Sequence, residues 1–133
     1  MPAKHVLRSS AASLLAAEGF MVWAVFSTLP LLVGGAGIRE AWDSNVYWSL
    51  GLPLLMVSVA AAGALSPASP WRLAAAAVAG HFLGVVLITK AGTGFGLLPL
   101  TVTLIGAPMF ALLAGFGWAG RWLRHMTLPA NVA

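Results

Sequence analysis

Apolar residues fall into four long runs, at about residues 10–33, 46–65, 71–89 and 97–118, and the breaks between them are short. Each run is apolar on every side, over the length of about 20 residues that a helix needs to cross a bilayer. Barrel strands alternate apolar and polar positions over about ten residues, so this pattern excludes them. The first run closes at Gly34-Gly35-Ala36-Gly37, and the stretch after it holds Glu40 and Asp43, which must reach water. Asp43 or Ser44 is placed to cap the second helix. Ser66-Pro-Ala-Ser-Pro70 reads as a tight turn, because two prolines stop one helix and set the start of the next. A glycine-rich link, Gly92-Thr-Gly-Phe-Gly96, precedes the fourth run, and a polar tail at 121–133 is expected to fray. The expected fold is all-α: a four-helix transmembrane bundle forming a single integral membrane domain over residues 1–133.

Orientation follows from the basic residues. Lys4, Arg8, Arg72, Arg121 and Arg124 fall at one end of the predicted bundle, Arg39 and Lys90 at the other. The richer end is expected to face the cytoplasm, which puts both termini there, in a bacterial-type inner or plasma membrane. Tyr47 and Trp48 join Trp42 in one expected aromatic belt, and Trp71, Trp118 and Trp122 make the other. Trp23 falls deeper and needs a neighbour there. The apolar run at 11–36 is too long for the core of a secretory leader and contains Glu18, so it reads as a retained helix.

Composition sharpens the class. Hydrophobic residues make up 60% of the chain and charged residues 8%, too few charges to coat a water-soluble globule and too apolar for a disordered chain. The +4 formal charge sits at the ends of apolar runs, so lipid headgroups and not nucleic acid are the expected partner. With no cysteine there is no disulfide and no thiolate chemistry. The glycine-rich link follows no strand and lacks the GK[ST] ending of a nucleotide loop.

Three features carry candidate chemistry. Ala76, Gly80 and Gly84 in the third run, and Ala107, Ala111, Gly115 and Ala119 in the fourth, recur every four residues. Such stripes allow close backbone approach, either between these two helices or with another subunit. Glu18 lies roughly 12 Å inside the first helix at 1.5 Å per residue, where a charge is costly unless neutralised, paired or hydrated. It is either a proton- or cation-binding carboxylate or an acid satisfied by a buried hydrogen bond or an adjacent subunit. His81 falls near the middle of the third run, within about 4 Å of the same depth, so the two form a candidate polar pair. A single axial bond from His81 to a haem or pigment is the one cofactor role open to it. No catalytic triad and no metal cluster is visible in the sequence.

The leading functional reading is a non-catalytic accessory or assembly subunit of a larger membrane complex, with lipid and other membrane subunits, or copies of itself, as partners. One alternative is a small proton-coupled transporter or channel, homo-oligomeric, using Glu18 with His81. A membrane enzyme acting on lipid is the other, weakened by sparse acid–base residues.

Overall fold

The computed structural model describes residues 2–32, 41, 44–88 and 98–127. The Gly34–Gly37 break, Arg39, Glu40, Trp42, Asp43, Lys90 and the Gly92–Gly96 link lie outside them. Every regular element among the described residues is helical. Helix α1 is Pro2–Leu32, α2 is Leu52–Leu65, α3 is Pro70–Ile88 and α4 is Ala107–Thr127. Four stretches are long and apolar enough to cross a membrane: Ser10–Thr28, Tyr47–Leu65, Pro70–Ile88 and Val102–Thr127. This is the make-up of a multi-pass membrane protein.

Two of the spans are entered through a π-helical turn, Tyr47–Gly51 before α2 and Val102–Gly106 before α4. Both turns end on glycine, and both have proline two residues further on, Pro53 and Pro108. A helical proline lacks the N–H for its own bond and presses its ring on the carbonyl four residues back. That carbonyl belongs to Ser49 in one case and Leu104 in the other. Widening the preceding turn relieves the clash: in the first, the Leu52 N–H donates to the Tyr47 carbonyl, five residues back. A short helical segment, Leu98–Thr101, leads into the second turn.

The helices pair α1 with α3 and α2 with α4. Each pair is parallel, and each crosses by the same reciprocal device. A methyl added at Gly80 would strike the Ala16 carbonyl oxygen, and one at Gly19 would strike that of Ala77. In the other pair, Gly63 lies against the Gly117 carbonyl and Gly120 against that of Ala60. Each crossing therefore joins two small residues spaced three apart, on both helices, with backbone in contact. Hydrocarbon supplies no hydrophobic drive, so such van der Waals contact is what holds membrane helices together.

The expected mating of the third and fourth spans through their four-residue stripes is corrected. Gly80 and Gly84 face α1, where a methyl at Gly84 would lie 2.9 Å from Trp23 Cβ. Ala76 is half-buried, while Ala107, Ala111, Gly115 and Ala119 are exposed, with nothing within 4 Å of a methyl built on Gly115. The α4 surface that packs is the neighbouring one, carrying Gly117 and Gly120, because the parallel crossing on α2 selects it.

The polar tail is corrected in part as well. The fourth helix runs on to Thr127 instead of fraying from 121. No proline intervenes before Pro129, and the Arg121 guanidinium donates to the Ala68 carbonyl in the α2–α3 turn. That turn is tied locally: Ser66 Oγ accepts the Ala68 N–H at 3.1 Å. Ser44, one of the two expected caps, accepts the Val46 N–H on its hydroxyl at 3.2 Å.

Valine at Gly80 or Gly120 is expected to destabilise the bundle by about 1–3 kcal/mol through overpacking, whereas Gly115→Val leaves it unchanged. Thermal unfolding in mild detergent checks the contrast; equal effects at all three positions would refute the crossing geometry.

Candidate functional site

Among the described residues, the polar pairs Glu18–Ser58 and Tyr47–His81 lie within the membrane-spanning part of the bundle. Glu18 sits on α1 in line with Leu14, Met21 and Val25, which are 70%, 54% and 42% exposed. It is half-buried itself. Ser58 on α2 is also half-buried, in line with the exposed Leu54, Ala61 and Leu65. The Ser58 hydroxyl donates to Glu18 Oε1 at 2.6 Å, across antiparallel helices. The pair is therefore a polar spot in an apolar outer surface. A carboxyl group has acceptor sites beyond the one that Ser58 fills.

His81 is the opposite case. It is fully buried, placed by the Ala16–Gly80 crossing that brings α1 and α3 backbones together beside it. The backbone of Gly19 interacts with the imidazole. Its Nε2 and the Tyr47 hydroxyl are hydrogen-bonded at 3.2 Å, the phenol donating when the ring proton is on Nδ1. Trp23 meets the ring edge-on at a centroid distance of 5.2 Å, and Phe82 does so at 5.9 Å. The deep tryptophan thus finds its neighbour in the histidine. A macrocycle bound at Nε2 would have to displace Tyr47, so the site as built does not fit an axial ligand.

Glu18 is hydrogen-bonded to Ser58 and His81 to Tyr47. Helix rise alone put them near one depth, but depth says nothing of the direction a side chain takes around the helix. Tyr47 is the residue of this polar cluster that the sequence reading misplaced. It was expected in an interfacial belt, yet it is fully buried and turned inward to His81. Trp48, Trp71 and Trp122 are exposed within about five residues of the ends of their spans, and Trp118 is exposed in the middle of α4, because that helix runs on to Thr127. Trp71 also stacks on Phe110 at 5.7 Å, and Arg121 lies 6.0 Å over the Trp118 ring.

A cleft of about 380 Å³ opens between the α2 and α4 spans, away from their crossing. Tyr47, Trp48 and Leu52 form one wall; Leu104, Ile105, Pro108, Met109 and Leu112 form the other. It sits where the two π-helical turns face each other, because the helices touch at Gly63 and Gly117 and splay beyond. Neither Glu18 nor His81 lines it. Among the described residues no three His, Asp or Glu side chains gather as a metal site would need.

Compared with known protein families, with curated proteins and with solved structures, the chain finds no match.

Tyr47→Phe is expected to cost about 1–3 kcal/mol, because it removes the hydroxyl hydrogen-bonded to the buried Nε2 of His81. Ser49→Ala, on the exposed side of the same turn, is expected to cost nothing measurable. Unfolding midpoints of the two variants in detergent make the comparison.

Proposed function

We propose that this small multi-pass membrane protein is a non-catalytic assembly subunit of a larger membrane complex, with both ends in the cytoplasm. The observation that carries the reading is the half-exposed Glu18–Ser58 pair in the middle of a surface that otherwise faces hydrocarbon. An acid at that depth is costly against lipid, and a neighbouring transmembrane helix that brings a donor removes the cost. Interhelical hydrogen bonds of this kind contribute about 0.6–2 kcal/mol each. The exposed Ala107, Ala111, Gly115 and Ala119 face of α4 supports it too, as a second surface able to admit a helix closely.

Native mass in mild detergent tests the assembly. The complex is expected to exceed the 13.7 kDa of one chain by the mass of a partner polypeptide, and Glu18→Leu is expected to release that partner. A monomer or a plain homodimer sinks the proposal. The cytoplasmic placement rests on Lys4, Arg8, Arg72, Arg121 and Arg124 at one end. Since the chain has no cysteine, single cysteines at Lys4 and Thr127 can report on it. Both are expected to react with an impermeant maleimide only after the cells are opened.

A second reading, a proton-coupled carrier, has the same Glu18–Ser58 pair in its favour. It requires proton-driven flux in reconstituted vesicles that disappears in Glu18→Gln. Equal flux in both proteins, or none in either, removes it.

A further inference from the structure

Charge is segregated along this chain. Its acidic side chains are Glu18, Glu40 and Asp43, and no Asp or Glu follows residue 43. Glu18 is hydrogen-bonded to Ser58 within the spans, and Glu40 and Asp43 belong to the stretch that joins the first span to the second. The opposite end of the bundle collects cations. Lys4 and Arg8 lie in the first two turns of α1, Arg72 in the first turn of α3, and Arg121 and Arg124 in the last third of α4. All three acids of the sequence fall outside that end, so its positive charge calls for an anion from elsewhere.

Three of these arginines gather around the turn between α2 and α3. The Arg72 backbone N–H donates to the Ser69 carbonyl at 3.0 Å, and the Arg121 guanidinium donates to the Ala68 carbonyl next to it. Arg124 follows Arg121 by about one helical turn, on the same side of α4. Arg72 is exposed, and Arg121 and Arg124 are half-buried. A guanidinium has five N–H donors in a planar fork, which matches phosphate oxygens in pairs, and the bond to Ala68 uses one of them. The turn lies where the spans Tyr47–Leu65 and Pro70–Ile88 meet, the level at which lipid headgroups begin. Indole surfaces stand beside the arginines at that level. Trp71 and Trp118 are 51% and 49% exposed; Trp71 stacks on Phe110, and Arg121 lies 6.0 Å over the Trp118 ring.

We propose that Arg72, Arg121 and Arg124, around the α2–α3 turn, form a site for the phosphate of an anionic phospholipid whose glycerol and upper acyl chains lie against Trp71 and Trp118. The bond to Ala68 holds the Arg121 guanidinium in place before the lipid arrives, which lowers the entropy lost on binding. The indole surfaces select a lipid over a free phosphate ion, which gains nothing from an apolar flank. A zwitterionic lipid carries a cation of its own that the arginines repel, so the anionic one is preferred. The site is independent of Glu18 and of any assembly that Glu18 mediates.

Native mass spectrometry of the full chain in an uncharged detergent tests the site. The protein is titrated with phosphatidylglycerol and, separately, with phosphatidylcholine, and the lipid retained per chain is counted. A single phosphatidylglycerol is expected to be held at concentrations at which phosphatidylcholine is not. Arg72→Gln and Arg124→Gln are each expected to weaken that binding about fivefold. Lys90→Gln removes the same charge two residues past the end of α3 and is expected to leave the binding unchanged. Excess inorganic phosphate is expected not to displace the lipid. Equal retention of the two lipids overturns the site, and so does a loss as large in Lys90→Gln as in the arginine variants. Displacement by inorganic phosphate overturns it as well, since it marks a simple anion site. The comparison of the two lipids uses the unaltered chain, so it decides the question even where a substitution prevents folding.

Discussion

Backbone contact at four glycines holds this bundle together. Gly19 and Gly80 seat α1 on α3, and Gly63 and Gly120 seat α2 on α4, in each case against a carbonyl of the facing helix. Inside a bilayer, lipid tails solvate leucine as well as another helix does, so association depends on close approach and on polar pairs. Everything else in the molecule is arranged around these two crossings. His81 follows Gly80 and is buried because the crossing leaves no room for lipid there. The cleft exists because the second crossing lies toward one end of its helices and lets the other ends part.

The two polar pairs divide the labour that such a bundle can give to hydrogen bonds. Tyr47–His81 is internal and ties the far end of the α2 span to α3. Glu18–Ser58 is peripheral and leaves acceptor capacity on an apolar surface. The first fixes the fold of one chain. The second supports the proposed role in assembly, since an acid directed toward hydrocarbon is stabilised by whatever covers it. Neither pair resembles a reaction centre, where several titratable groups converge on a cleft.

Hydropathy made the number and helical type of the spans legible, because a helix that meets lipid on all sides must be apolar on all sides. The turn at Ser66–Pro70 and the cap at Ser44 were legible from local chemistry. The pairing of helices was not. Ala76, Gly80 and Gly84 advertise a face at four-residue spacing, but the contact uses Ala77 with Gly80, three apart, and answers to Ala16 and Gly19 on a helix far off in sequence. Gly117 and Gly120 lie one step around α4 from the more regular stripe that stays exposed. Tyr47 looked interfacial because aromatic residues near span ends usually are. Its inward turn depends on a histidine 34 positions away. The twin Gly-x-Pro sequences at Gly51 and Gly106 were a readable sign that both far ends depart from regular helix.

The bond from Arg121 to the Ala68 carbonyl has a consequence for how the chain is made. Residues 66–69 emerge from the ribosome some fifty positions before the guanidinium that satisfies them. Until then the Ala68 carbonyl, in the turn between the second and third spans, is without its guanidinium donor, so the tie from that turn to α4 closes only once synthesis has passed Arg121. Translation order thus makes the final helix the fastener of a corner laid down long before it.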